Sequence, residues 1–156
     1  MAEERRATAY FDANVFIDFV EGEPALSDPL RPLFAFLHGL RRVIITSELT
    51  LAEVLAPHGR PQTRPIADDV YLDLIARNDA VAVVPITRAV LLDTPDLRRR
   101  TGQKLIDAIH CATAVRAGCA FVMSRDRRMR RPLLEGLRWL DSNQDGVKIS
   151  LEALGA

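Results

Sequence analysis

Cysteine is scarce in this 156-residue chain, with only Cys111 and Cys119 present. Both lie in apolar surroundings without metal-ligand spacing, which argues against a disulfide framework and reads as buried thiols in a reducing cytoplasm. Net charge is missing too: 21 basic residues balance 21 acidic ones. No overall positive field attracts nucleic acid, so any such contact depends on a local basic patch. No apolar run approaches the roughly 18 residues that a membrane helix needs, so no membrane partner is expected. The charged stretch Met1 to Thr8 lacks the apolar core of a signal peptide. Internal repeats and low-complexity tracts are also absent. What is left is ordinary globular composition at a length suited to one domain, residues 1–156, with a core over about 8–141 and a tail over 142–156.

Against these absences stands a regular alternation of short apolar runs and helical patterns. Ala9 to Phe11 reads as a strand entering a helix, with Asp12 at the join. Leu30 to Leu40 has a helical period, with Phe34 and Phe36 on different faces and more apolar surface than a lone helix needs. Arg42 to Thr46 is a continuous apolar strand, and Ser47 or Thr50 can cap the helix that follows. The proline-rich stretch Pro57 to Pro65 reads as a loop near the site. A helix is expected from about Ala67 to Arg77, burying Val70, Leu74 and Ile75, then a strand from Ala80 to Pro85. The next helix, capped by Thr87, is expected to break at Pro95. Lys104 to Val115 is apolar around most of its circumference, which marks a buried helix. Ala120 to Ser124 and Leu137 to Leu140 complete five strands. Strands alternating with helices imply α/β architecture, a parallel sheet between two helix layers.

Four acids stand out by position. Asp12 and Asp126 each end a strand, while Glu53 and Asp107 each sit near a helix start between apolar neighbours. Each has a local explanation: Asp12 as a helix cap, Glu53 as an exposed helix residue, Asp107 as the ion-pair partner of Lys104. As a set they occupy the edge of a doubly wound sheet where ligands bind. Carboxylates so gathered repel by about 4 kcal/mol at 4 Å and an effective dielectric of 20. Protonation or a divalent cation must neutralise them, and hard oxygen ligands with open positions suit Mg²⁺ or Mn²⁺. The chemistry that follows is metal-assisted attack of water on a phosphodiester.

Four segments, taken in order, carry a family resemblance. They are Phe11-Asp12-Ala13-Asn14-Val15-Phe16-Ile17, Ser47-Glu48-Leu49-Thr50-Leu51-Ala52-Glu53-Val54-Leu55, Leu105-Ile106-Asp107-Ala108-Ile109-His110-Cys111-Ala112-Thr113-Ala114 and Phe121-Val122-Met123-Ser124-Arg125-Asp126. The ordered set resembles PIN domains, most closely the VapC-type ribonuclease toxins of bacterial toxin–antitoxin pairs. The resemblance implies a three-layer α/β/α fold with a parallel five-stranded sheet ordered 3-2-1-4-5. It implies Asp12, Glu53, Asp107 and Asp126 as catalytic and metal-holding residues, and Mg²⁺- or Mn²⁺-dependent cleavage of RNA. Asn14 and Ser124 match supporting polar positions; Ser124 stands where threonine is commoner and keeps the hydroxyl. A homodimer and an antitoxin partner are further implications. A catalytically silent PIN-like module that binds RNA or protein is the alternative. A haloacid-dehalogenase-like phosphatase would need a second acid where Asn14 stands.

Other signals are separate from that set. His110 lies one helical turn beyond Asp107, and reads either as a general base or as a packed histidine bonded to backbone or to Asp. Arg125, Arg127, Arg128, Arg130 and Arg131 cluster beside Asp126, either to hold an RNA backbone, Arg125, Arg127 and Arg128 foremost, or as a solvated face. Asp141-Ser142-Asn143-Gln144-Asp145-Gly146 with Glu152 satisfies the calcium-loop pattern of an EF-hand. In poor context for that motif, the competing expectation is a polar turn into a strand or short helix.

Overall fold

A computed structural model describes residues 7–56, 64–130 and 136–156. Five strands, β1 (Ala9–Phe11), β2 (Ile44–Ser47), β3 (Val81–Val84), β4 (Phe121–Met123) and β5 (Arg138–Leu140), form one sheet ordered β3-β2-β1-β4-β5. Every adjacent pair is parallel. Parallel neighbours need crossover segments, and these cover both faces of the sheet. Strand β1 is central, with all three residues buried, and its side chains alternate between two cores. Phe11 joins Phe16, Leu33, Ile44, Met123 and Leu154 on one face, while Tyr10 joins Ala114 and Val122 on the other.

The first face is covered by α1 (Ala13–Glu21), α3 (Arg31–Leu37), α5 (Arg64–Tyr71) and α8 (Gln144–Leu154), with α2 (Pro24–Ser27) between α1 and α3. The second is covered by α6 (Arg88–Thr101) and α7 (Leu105–Arg116); α4 (Glu48–Val54) follows β2 directly. This is the three-layer α/β/α arrangement with the 3-2-1-4-5 order that the resemblance implied. The apolar surplus of α3 is used within the chain, because Phe34 stacks on Phe19 of α1 with ring centroids 4.0 Å apart.

Local expectations fail at three places, each for a physical reason. Pro95 does not break α6, which runs through it to Gly102. A proline removes one backbone hydrogen bond, and here the buried face of Val90, Thr94 and Leu97 packed beside α7 outweighs that loss. Gly102 then ends the helix in the left-handed region at φ 68°, where a side chain is strained. Val70 is exposed and Tyr71 fully buried, because the chain passes from α5 into a π turn over Leu72–Ala76 and the buried stripe runs through Tyr71 and Ile75. Helix α7 is buried throughout only from Ala108 to Ala114; Leu105, Ile106 and Val115 emerge into solvent.

The stretch with the calcium-loop pattern follows the competing expectation, a polar turn into a helix. Asn143 caps α8, its side-chain oxygen accepting from the Gly146 N–H at 2.9 Å. Gly146 is required by proximity, since a Cβ there would stand 1.8 Å from the Asp141 carbonyl oxygen. A helix cap and a close backbone approach therefore account for the motif's spacing, and Asp145 begins a helix rather than a cation loop. The proline-rich stretch lies outside the described residues over positions 57–63, and its end, Arg64-Pro65, already belongs to α5.

Candidate active site

Strand β1 ends at the carbonyl of Phe11, which accepts the Thr46 hydroxyl of β2 at 2.7 Å. That bond ties the two strand ends together just where Asp12 follows. Asp12 is 2 % exposed and has both carboxylate oxygens engaged. Oδ1 caps α1 by accepting the Val15 N–H at 3.3 Å, and Oδ2 accepts the Ser124 hydroxyl. The cap and the site residue are thus one and the same. Burial pushes its carboxyl up to about 6, with the Glu53 charge adding to the rise and the Ser124 and Val15 hydrogen bonds and the His110 charge opposing it.

Ser124, buried at the end of β4, joins two of the acids. Its oxygen accepts the Asp126 N–H at 3.0 Å while its hydroxyl donates to Asp12. Asp126 is 18 % exposed, and its carboxylate grips the Arg128 guanidinium through Oδ1 and Oδ2, both at 3.1 Å. Hydrogen bonding by Arg128 holds its carboxyl below the usual range. On the α4 side, the buried His110 meets Glu53 Oε2 through Nε2 at 2.7 Å and Tyr10 through Nδ1 at 2.6 Å. His110 is packed as one of its two readings required, yet its partners are Tyr10 and Glu53 rather than backbone or Asp.

Asp107 is the acid left without a donor. No hydrogen bond or ion pair reaches it among the described residues, so the expected Lys104 pair does not form. It lines a small cleft with Gly102, Gln103, Lys104 and Arg128. Partial burial raises its carboxyl first, and the charges of Asp126 and Glu53 raise it further. Asp12 and Asp107 are thus both harder to ionise than isolated carboxyls, and the other acids contribute to that.

The neighbouring arginines divide by what they hold. Arg125 makes a two-pronged pair with the buried Asp18 of α1, at 2.8 and 3.0 Å. Arg128 belongs to Asp126, while Arg127 is exposed and forms no ion pair among the described residues. Arg131 lies outside the described residues. Asn14, half-buried on α1, lines a cleft with Arg125, Asp126, Arg127 and Arg128. Sequence reasoning missed Tyr10, Asp18 and Gln103. Tyr10 carried a signal, because a tyrosine inside an all-apolar strand needs a partner for its hydroxyl. Gln103 is buried and donates to the Met129 carbonyl at 2.8 Å, tying the start of α7 to the turn that carries Asp126.

The charge of Glu53 thus reaches both Asp12 and Asp107, and that of Asp126 reaches Asp107. By donor type the four acids fit a hard divalent ion: all oxygen, mutually repelling, and in two cases reluctant to ionise without a cation. In their present positions no three His, Cys, Asp or Glu among the described residues stand close enough to hold an ion together.

The model of the PIN domain matches residues 9–132 of this sequence, a span that contains all four acids. The chain belongs to the PIN-domain family. No curated protein matches it. Among solved structures, the chain is similar to a toxin–antitoxin complex from Klebsiella pneumoniae at 19 % identity, over 83 % of this chain and 95 % of that one, with a TM-score of 0.59. It is also similar to DNA-bound VapBC from Salmonella typhimurium at 17 % identity, over 87 % and 98 %, with a TM-score of 0.61. A third is VapC20 of Mycobacterium tuberculosis, a Sarcin-Ricin loop cleaving toxin, at 16 % identity, over 74 % and 87 %, with a TM-score of 0.59. At these identities the likeness establishes the PIN fold. No helix among the described residues is long and apolar enough to cross a membrane.

Proposed function

We propose that this PIN-domain chain is a metal-dependent endoribonuclease, the toxin of a type II toxin–antitoxin pair. The observation that supports the reading is the mutual charge coupling of the site's acids, Glu53 acting on Asp12 and Asp107 and Asp126 on Asp107, with Asp12 and Asp107 raised in affinity for protons. A protein that gathers unneutralised acids gains by binding a cation there. PIN-family membership supports nuclease chemistry, and the toxin–antitoxin complexes of the same fold support the biological role. RNA as substrate is favoured by the loop-cleaving activity in the name of VapC20.

Asp12, Glu53, Asp107 and Asp126 would hold Mg²⁺ or Mn²⁺, directly or through water. When bound, such an ion supplies water of lowered pKa and neutralises charge developing on the phosphate and leaving oxygen. Ser124 fixes the Asp12 carboxylate and ties it to the Asp126 backbone. Asp126 reaches an ion only as Arg128 swings aside, which its 68 % exposure allows. Arg127, in no ion pair among the described residues, would meet the RNA backbone, and Asn14 borders the same cleft. Arg125 is bound to Asp18 and acts on RNA only through its remaining donors. An antitoxin, a homodimeric state and a cytoplasmic location belong to the same proposal.

The test is cleavage of RNA by purified protein in Mn²⁺, with and without EDTA, beside Asp12→Asn. The reading expects cleavage that EDTA and the substitution both abolish. EDTA-resistant cleavage, or a variant as fast as the parent, overturns it. Mn²⁺ binding without cleavage would point to the silent, binding-only module.

A further inference from the structure

Tyr10 has no exposure, and a phenol hydroxyl so placed must be hydrogen-bonded to avoid a desolvation cost. Its partner is His110 Nδ1 at 2.6 Å, and the opposite nitrogen of that ring meets Glu53 Oε2 at 2.7 Å. The links span 100 and 57 positions of sequence, so no local turn imposes them. They join β1, α7 and α4, each of which carries or directly precedes an acid of the site. Tyr10 is two residues before Asp12, His110 is three after Asp107 on α7, and Glu53 is on α4. The chain of bonds also runs from full burial to partial exposure, since Glu53 is 32 % exposed.

We propose that Tyr10 and His110 are positioning residues that orient Glu53 toward the site, the imidazole donating through its Nε2–H. A carboxylate only accepts, so the Nε2–H donates to Glu53. The Tyr10 hydroxyl, able to donate or accept, holds the ring at Nδ1. One oxygen of Glu53 is spent on the imidazole. Oε1 makes no hydrogen bond among the described residues and is left for a cation or its water. Outer hydrogen bonds of this kind orient ligands and tune their affinity. Histidine is thereby removed from the list of bases, because both its nitrogens are committed.

The role rests on the metal-site reading, whereas the proton position can be measured independently of it. Long-range ¹H–¹⁵N correlation on metal-free protein, with His110 assigned from the signals lost in His110→Gln, reads the tautomer directly. The expected pattern is a ring that carries a proton on Nε2 and whose Nδ1 signal shifts in Tyr10→Phe. A ring protonated at Nδ1 alone, or an Nδ1 signal unchanged in Tyr10→Phe, overturns the assignment. Mn²⁺ titration calorimetry and steady-state cleavage of RNA then test positioning. Tyr10→Phe should weaken Mn²⁺ binding about tenfold and lower kcat by a similar factor, with KM within about twofold. Unchanged Mn²⁺ affinity in a folded Tyr10→Phe overturns the positioning role. Should the parent cleave no RNA, the nuclease reading fails, while the tautomer and Mn²⁺ arms still decide the relay.

Discussion

The two halves of the acidic site are built by opposite means. Asp12 and Glu53 are held by hydrogen-bond donors on buried partners: Ser124 and the α1 amide for one, the Tyr10–His110 pair for the other. Asp126 is instead gripped by the exposed Arg128, whose charge also reaches Asp107. Hydrogen bonds from within the fold orient an acid without removing its charge, so the inner half keeps its demand for a cation. The outer half has a cation of its own that can leave. The contrast teaches that one part of the site is preset by packing and the other is adjustable by charge.

Removing charge from the inner half should produce the largest effect. Asp12→Asn is expected to lower RNA cleavage by about a thousandfold or more, as loss of a principal site group does in other hydrolases. Asp107→Asn should come close to it, with melting temperature unchanged or raised because Asp107 has no donor to lose. If Asp107→Asn kept near-full activity, the outer half would be reduced to a structural rim.

The next effect concerns stability and pH. The Asp12 carboxyl rises from 3.8 to about 6 on folding, so the folded state holds that proton more tightly than the unfolded one. Its contribution therefore destabilises the fold fully above pH 6 and vanishes below pH 3.8, a difference of about 3 kcal/mol. Denaturant melts of the parent and Asp12→Asn, without metal, should favour the variant at pH 7.5 and converge toward pH 4. Mn²⁺ should stabilise the parent more at pH 7.5 than at pH 5. Equal curves for both proteins across this range would mean that Asp12 is already neutralised from within.

Smaller effects separate the arginines. Arg125→Ala leaves the buried Asp18 carboxylate unpaired and should cost about 2 kcal/mol of stability, measured by urea unfolding. Arg127→Ala should cost less than about 0.5 kcal/mol and instead raise KM for RNA. Arg128→Ala should leave stability within the same range and tighten Mn²⁺ binding about threefold, by releasing Asp126. Weaker Mn²⁺ binding in that variant would show that Arg128 helps to build the outer half rather than guarding it.

How far the sequence spoke for itself follows the same division. Asp12, Asp107 and Asp126 stand where local pattern put them, after strand ends and at a helix start, whereas Glu53, expected near a helix start, is the penultimate residue of α4. The strand alternation that places them at one edge was legible too, through runs such as Arg42 to Thr46 and Ala80 to Pro85. What holds the acids was not. The bonds from Ser124 to Asp12 and from Tyr10 to His110 span 112 and 100 positions, and such pairing depends on sheet order and helix rotation rather than on neighbours in sequence. Asp18 looked like an ordinary helix acid until packing brought Arg125 to it. Pro95 misled in the reverse direction, where tertiary contact overrode a local rule.

The claim beneath all of this is that the edge acids share a divalent cation. Isothermal titration of Mn²⁺ at pH 7.5 into the parent and Asp107→Asn measures it most directly. The account predicts saturable binding to the parent, and at least about tenfold weaker binding to the variant. Identical binding in the two proteins, or no binding to either, would contradict it.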